Sequence, residues 1–392
     1  MITVTAAKTL ISTHISPLDP VVVQLDNAAG LILAKDIYAS CDIPAFPQSS
    51  MDGYALKFAD REKELQLSGE MAAGTAESFT LKAGETSRIF TGAPLPEGAD
   101  TVVMQEKVIL SNGAIVIQDE KLQVGSNVRD QGAEIRSGDL AMKKGTLLSP
   151  PAIGFLAGIG ILHLEVFPLP KVSIIVTGKE LQQPGLELNF GQVYESNSYS
   201  LAAALKTEGI AHVNIFQADD ELPLLTQVLE KALELSDVVL LTGGVSVGDY
   251  DFVLEASRNC AVEQVFHKVR QKPGKPLFFG IKGHKLVFGL PGNPSSVLSC
   301  YYNYVLPAIK KLAQQADSIK YIQAKLTSGY QKPAGLSHFL KGSYENGQVS
   351  PLSAQESFRL RSFALANCLI CLEETKEDFQ IGEMVTIMLL PL

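Results

Sequence analysis

Asp237-Val-Val-Leu-Leu-Thr-Gly-Gly-Val-Ser-Val-Gly-Asp-Tyr-Asp251 holds the strongest local signal in the chain. Its first half is a short apolar run without alternation, as expected of a strand covered on both faces. Gly243 and Gly244 follow at once, and paired glycines let the backbone approach a ligand closely and expose its N–H groups. A helix is expected to begin after Asp251, and its first turn adds a field that favours anions. Ser246 and Gly248 continue the loop. Asp249 and Asp251 place carboxylates at its far end. Carboxylates beside bound phosphate suit Mg²⁺, which takes one or two protein oxygens and completes its shell with phosphate and water. The plainer alternative is that both aspartates cap the helix; next to a Gly-Gly loop it is the weaker one.

On either side of this loop, strands and helices alternate. Val172-Ser-Ile-Ile-Val176 and Ala211-His-Val-Asn-Ile-Phe216 read as strands, and Ser198 to Gly209 as a helix closed by glycine. Asp219-Asp220 is placed to cap a helix running from Leu224 to Leu235, and another helix follows Pro294. The pattern implies a doubly wound, mostly parallel sheet over residues 169–315, with ligands outside the strands' carboxyl ends. Three more loops fall at those ends. In Ile175-Val-Thr-Gly-Lys-Glu180, Glu180 is either a metal-side or general-base carboxylate or an ordinary surface residue. Leu290-Pro-Gly-Asn-Pro-Ser-Ser296 sets Pro291, Gly292 and Asn293 near a helix start, and by itself reads as a capped turn. In Lys268-Val-Arg-Gln-Lys272-Pro-Gly-Lys275-Pro, period-two alternation puts Lys268, Arg270 and Lys272 on one face, and Pro273-Gly274 returns Lys275. Lysines there suit phosphate or an oxyanion.

The remaining segments differ in character. Residues 1 to about 40 read as helical. Residues 41–135 alternate short strands with turns rich in Gly, Pro and Asn, a small β domain in which Asp52-Gly53 reads as a turn whose spacing demands no chemistry. Residues 136–168 carry a Pro150-Pro151 stop and then a short apolar helix, Ala152–Gly158. They are expected to rejoin residues 1–40 in one elongated domain, so that the β domain is an insertion. Residues 320–392 return to short strands, a second β domain. The fold class expected is α/β plus β, multidomain.

Bulk properties narrow the function. With 392 residues, two to four domains are expected. The net charge of −9 argues against nucleic-acid binding. One region breaks that balance: Gln264 to Ala316 has no Asp or Glu but holds Lys268, Arg270, Lys272, Lys275, Lys282, Lys285, Lys310 and Lys311. An anion site and a solvated basic face explain this island equally well. Cys368 and Cys371 lie in an apolar strand-like run, so a redox pair is disfavoured, and the scattered cysteines suit a reducing compartment. Without a signal peptide or a long apolar run, the chain is expected to be cytoplasmic and free of membrane contact. There is no P-loop and no Gly-x-Ser-x-Gly elbow, and the six histidines do not cluster.

Six segments stand in order along the chain: Pro44-Ala-Phe-Pro-Gln-Ser-Ser-Met-Asp-Gly-Tyr-Ala55, the run from Ile89 to Glu106, Gly191-Gln-Val-Tyr-Glu-Ser-Asn197, Gly243 to Asp249, Lys272-Pro-Gly-Lys-Pro276 and Leu290-Pro-Gly-Asn-Pro294. Together they resemble the MoeA/gephyrin E-domain family of molybdopterin molybdenumtransferases. The resemblance covers nearly the whole chain. It implies a dimer of elongated four-domain subunits with an inserted β domain, an α/β molybdopterin-binding domain and a C-terminal β barrel. It implies Mg²⁺-dependent conversion of molybdopterin-AMP (adenylyl-molybdopterin) and molybdate into molybdenum cofactor and AMP. The cleft would be shared between subunits, with Asp52 and Thr91 reaching in from the partner. Glu180, Asp219 or Asp220, and Asp251 would surround Mg²⁺ and substrate, and Lys268 and Lys272 would hold phosphate or molybdate with Lys275 close by. The Gly243-Gly244 loop, Pro291-Gly-Asn293 and Ser357 would bind pterin and phosphate. Other cofactor-biosynthesis proteins and molybdoenzyme chaperones are the partners implied. Two positions depart from the family pattern: Lys179 where Asp is common, and Glu356 where Gly is common. Two other readings stand beside this one, a molybdopterin adenylyltransferase and a cofactor-binding scaffold without activity.

Overall fold

A computed structural model describes residues 1–219, 221–245 and 252–391. Asp220, Ser246, Gly248, Asp249 and Asp251, all named above, lie outside the described residues. The chain forms two compact units. One comprises Met1–Val21, Gly30–Ile32 and Val166–Leu392; the other comprises Val22–Ala29 and Leu33–Glu165.

The first unit is built on a six-stranded sheet in the order Val213–Ala218, Val172–Thr177, Val238–Thr242, Lys285–Leu290, Phe278–Lys282 and Glu263–His267. The first four strands are parallel to one another, and Phe278–Lys282 runs antiparallel to both of its neighbours. The apolar runs are unbroken because both faces are covered. Ile174, Leu240 and Phe288 pack with Leu201, Leu205 and Val297 on one side. Ile175, Val239, Leu241 and Val287 pack with Leu225, Leu229, Val253 and Ala256 on the other. The chain winds outward from Val172–Thr177 to Val213–Ala218, then back to Val238–Thr242. The winding therefore reverses between Val172–Thr177 and Val238–Thr242, the place where open α/β sheets hold ligands.

The same unit ends in a closed barrel. Ser337–Glu345 pairs with Gln348–Pro351, which pairs with Lys320–Leu326; Met384–Leu389 and Cys368–Leu372 complete the ring back to Ser337–Glu345. Leu326, Leu340, Val349, Ile370 and Ile387 fill it. Gln271–Lys272 joins the barrel sheet as a short parallel strand against Ser337 and His338.

The second unit carries a sheet ordered Thr101–Met104, Gly53–Leu56, Glu85–Ile89, Leu65–Met71, Ala114–Ile117 and Val108–Ser111. Short strands Ile37–Tyr38 and Leu140–Met142 pair beside it in sequence.

Four local expectations need correction. The helical reading of residues 1–40 holds only for Val4–Thr13. Beyond it Pro17, Pro20 and the β-branched run Val21-Val22-Val23 favour extended chain, and Val21–Gln24 is a strand. Pro150 and Pro151 do not stop the chain but open the helix Pro150–Gly158, where a missing N–H costs nothing. Glu221, not an aspartate, sits at the N-cap of the helix Leu222–Leu235, and among the described residues no side chain caps it. Gly53 is not in a turn. It begins a central strand, and a Cβ on it would sit 1.9 Å from the Val103 carbonyl oxygen. Among the described residues no helix is long and apolar enough to cross a membrane.

Candidate functional site

Three strand ends of the α/β sheet meet where its winding reverses. Thr177 Oγ1 donates to the Thr242 carbonyl at 3.2 Å, and the Gly243 N–H donates to the Leu290 carbonyl at 3.2 Å. Gly243 has φ +87°, and a Cβ there would lie 2.8 Å from Thr177 Oγ1 and 2.9 Å from the Thr177 carbonyl oxygen. Only glycine lets these loops close on each other. Gly292 stacks against Gly243. The start of the helix Asn197–Thr207 joins them through Asn197 Nδ2, which donates to the Gly292 carbonyl at 2.9 Å.

The barrel contributes the next residue. Asn293 Nδ2 donates to Ser357 Oγ at 3.0 Å, and the Ser295 N–H donates to the Ser357 carbonyl at 3.0 Å. Among the described residues Asn197 Oδ1, Thr242 Oγ1 and Ser295 Oγ are buried without a partner. Buried polar atoms are rarely left unpaired, so three in one cradle point to a ligand or ordered water. Gly243, Gly244, Pro291, Gly292, Asn293 and Ser357 are thus brought together as the sequence suggested.

Sequence reasoning missed the residue that holds Ser357 in place. Lys341 is 2% exposed, and its ammonium donates to the carbonyls of Ala354, Arg359 and Glu356 at 2.8, 3.1 and 3.3 Å. Burial pushes this ammonium below the usual lysine range. Gln355 braces the same loop by hydrogen bonds to both the N–H and the carbonyl of Lys341. The available signal was a lysine inside an otherwise apolar strand, Phe339-Leu-Lys341.

Glu180 is exposed at the tip of the first strand, and its carboxylate folds back over Gly178, whose φ is +139°. Lys179 lies 3.7 Å from Glu221. Asp219 is exposed at the end of the outer strand. The described residues contain no group of three His, Cys, Asp or Glu side chains able to hold a metal. Mg²⁺ needs only one or two protein carboxylates beside a phosphate, so Glu180 and Asp219 have the right donor chemistry.

In the lysine segment Val269 and Gln271 are buried, Lys268 and Arg270 half-buried and Lys272 exposed; Lys268 has φ +73°, so the segment is not extended throughout and the one-face alternation read from sequence holds only in part. The Val269 N–H donates to the Lys275 carbonyl at 3.0 Å, so the turn does return Lys275. Gly274 must lack a side chain, since a Cβ would lie 2.5 Å from Cys300 Sγ. His267 Nε2 lies 3.0 Å from the Val245 carbonyl and ties the root of this segment to the Gly-Gly loop. Lys272 is the register partner of His338, which is 2% exposed. Beside them Arg270 lies 4.0 Å from Glu374, while Arg270 Nε, Glu374 Oε2 and His338 Nε2 are buried without partners.

Asp52 and Thr91 meet within the second unit. The Thr91 N–H and Oγ1 both donate to Asp52 Oδ1 at 2.8 Å. These two bonds hold the Asp52 carboxyl below its ordinary range, with Arg88 assisting. Arg88 donates to the Gly53 carbonyl at 3.1 Å and lies over the rings of Tyr54 and Phe90.

A doubly wound sheet with a polar cradle at its winding reversal, completed by a loop of a closed barrel, defines a multidomain α/β protein whose polar loops converge at the carboxyl edge of the sheet. Residues 2–160 match the MoeA N-terminal region (domains I and II), residues 173–311 a probable molybdopterin-binding domain, and residues 323–390 the MoeA C-terminal region (domain IV). The chain is 34% identical over 373 residues to the molybdopterin molybdenumtransferase of Haemophilus influenzae, covering 93% of this chain and 92% of that one. It is 31% identical over 387 residues to the protein of that name from Staphylococcus aureus, covering 95% and 92%. Its fold is similar to a solved molybdopterin biosynthesis MoeA protein from Pyrococcus horikoshii, with a TM-score of 0.84, 31% identity and 99% of each chain covered. The chain belongs to the MoeA family of molybdopterin molybdenumtransferases, transferases of molybdenum cofactor biosynthesis.

Proposed function

We propose that the protein inserts molybdenum from molybdate into adenylyl-molybdopterin, with Mg²⁺, releasing AMP and molybdenum cofactor. The observation that carries this reading is the cradle: three strand-end loops and Ser357 meet around three buried polar atoms that lack partners. The backbone N–H of Gly244 and the polar groups of Asn293 and Ser357 receive the phosphate and the pterin, in a loop that Gly243 allows to close. Lys268, Lys272 and Lys275 draw in the oxyanion and offset charge gathering on phosphate oxygens. Glu180 and Asp219, with Asp220, Asp249 and Asp251 of the sequence, are the carboxylates that would hold Mg²⁺. When bound, the ion neutralises phosphate charge that side chains alone would have to balance. The working form is a homodimer, in which Asp52 and Thr91 of a second copy complete the cleft. It acts in the cytoplasm, exchanging its small-molecule substrates with other cofactor-biosynthesis proteins and molybdoenzyme chaperones, away from nucleic acid and membrane.

The test mixes the protein with molybdopterin-AMP, molybdate and Mg²⁺, and follows AMP release together with cofactor transfer to an apo-molybdoenzyme. Release of both products is expected, and Asp251→Ala should abolish it while leaving the circular dichroism spectrum intact. ATP-dependent loading of free molybdopterin with AMP would instead make the protein an adenylyltransferase, and binding without turnover would make it a scaffold.

A further inference from the structure

The basic island of the sequence splits in the fold. Lys268 to Lys275 lie at the strand-end site, and Lys285 caps the Ser236 carbonyl at 3.0 Å. Lys310 and Lys311 line a separate cavity of about 510 Å³, between the helix Val4–Thr13 and the helix Leu306–Leu312, with Tyr321 of the first barrel strand at its edge. None of its lining residues belongs to the strand-end cradle. Ile11, Ile15, Pro307 and Ala308 supply an apolar wall.

The charges around the cavity are unevenly matched. Lys310 is neutralised by Glu208 at 2.6 Å. Lys8 donates to the neutral Tyr321 hydroxyl at 2.8 Å and lies 5.0 Å over the centre of that ring. Lys311 donates to the Ser12 carbonyl and hydroxyl at 2.6 and 2.8 Å. Among the described residues neither Lys8 nor Lys311 forms an ion pair, and Asp317 is the only carboxylate in the lining. Burial lowers the affinity of Lys8 for its proton, so a nearby anion would stabilise its charged form. A second observation comes from the wall. The helix widens into a π turn at Tyr301–Val305, where Pro307 has no N–H to give to the preceding turn. Asn303 within that turn lines the cavity, is 1% exposed and, among the described residues, has no partner for its Oδ1.

We propose that this cavity binds a small organic anion, a carboxylate or phosphate carried on an apolar body. Lys8 and Lys311 take the charge, and the aliphatic wall and the Tyr321 ring take the body. Such sites join an apolar surface to a few placed polar groups.

Isothermal titration of the full-length protein with 1-naphthyl phosphate, 2-naphthoate and inorganic phosphate tests this. At least one naphthyl anion should bind saturably, one per chain, and the better of the two identifies the headgroup preferred. Inorganic phosphate should bind at least about tenfold more weakly, because it lacks the apolar body. Lys8→Gln and Lys311→Gln should each weaken the naphthyl anion about tenfold, the effect of losing one charge-assisted contact. Lys272→Ala should leave it unchanged, which assigns the binding to this cavity and not to the strand-end site. The proposal is overturned if no naphthyl anion saturates in the millimolar range, or if inorganic phosphate binds equally well. It is equally overturned if Lys272→Ala removes the binding while both glutamine variants, folded by circular dichroism, keep it.

Discussion

The barrel should lose stability in mild acid, and one histidine should account for much of the loss. His338 is 2% exposed; its Nδ1 lies 3.2 Å from the Tyr330 hydroxyl, and its Nε2 has no partner. Burial disfavours the charged ring, and Lys272 and Lys332 add repulsion, so its pKa is pushed down from 6.5 to about 4. An unfolded chain binds this proton near pH 6.5, whereas the folded chain resists it until about pH 4. The folded state therefore keeps its full advantage above pH 6.5 and loses it as the pH falls towards 4. At about 1.4 kcal/mol per pH unit, the fall from 6.5 to about 4 corresponds to roughly 3 kcal/mol. The assay is urea unfolding followed by circular dichroism between pH 7.5 and pH 4.5, comparing the wild type with His338→Gln. Glutamine is neutral throughout and can still bond Tyr330. The wild type should lose more stability than the variant across this range, with the gap opening below pH 6.5. Parallel pH profiles for the two proteins would refute the reasoning, since every other titrating group is common to both.

Four further variants have expected outcomes. Gly53→Ala should destabilise the second unit by more than about 4 kcal/mol, because the new methyl would meet the Val103 carbonyl at 1.9 Å. Gly30→Ala should cost only about 1 kcal/mol, since φ is +80° but nothing lies within 4 Å; urea midpoints separate the two. Lys341→Met should unpin the Ser357 loop and cut turnover at least about tenfold, and should destabilise the fold by about 1–3 kcal/mol, because three loop carbonyls lose their donor although the methionine chain fills the same strand position. Asp52→Asn should lower kcat without shifting Tm; in the wild type, the depressed Asp52 carboxyl should leave the acid limb of the pH–rate profile free of any step from Asp52 above its ordinary value of 3.8.

What the sequence disclosed and what it hid follow from where each constraint comes from. The α/β strands were legible because being covered on both faces demands an unbroken apolar run, and Val238 to Leu241 supply one. The cradle was legible because glycine pairs at strand ends have few other uses, and Gly243 proves to sit where no side chain fits. Gly53 was misread because the atom that forbids its side chain, the Val103 carbonyl oxygen, is remote in sequence. The N-terminal segment was misread because helical spacing in Thr5 to Ser12 was carried past two prolines. Lys341 stood out as a cation in an apolar strand, but its role was hidden, because only the later return of residues 354–359 gives its ammonium three carbonyls.

The barrel also proves to be part of the candidate site. Its strand Ser337–Glu345 places His338 and Lys341 three residues apart, hence on opposite faces. On one face His338 lies beside Lys272, whose segment doubles as a short strand of the barrel sheet. On the other, Phe339 packs into the core shared with the α/β domain, and Lys341 grips the loop that sets Ser357 against Asn293 and Ser295. One strand therefore fixes both the lysine segment and the Ser357 loop. Its register admits no slip, because moving by one residue would exchange the two faces and remove both supports together. Gly342 reinforces that register: a Cβ there would lie 2.9 Å from Cys368 Sγ and from Ile370 Cγ1 on the neighbouring strand. The α/β domain supplies the glycine loops, and the barrel holds two of the polar segments that meet them.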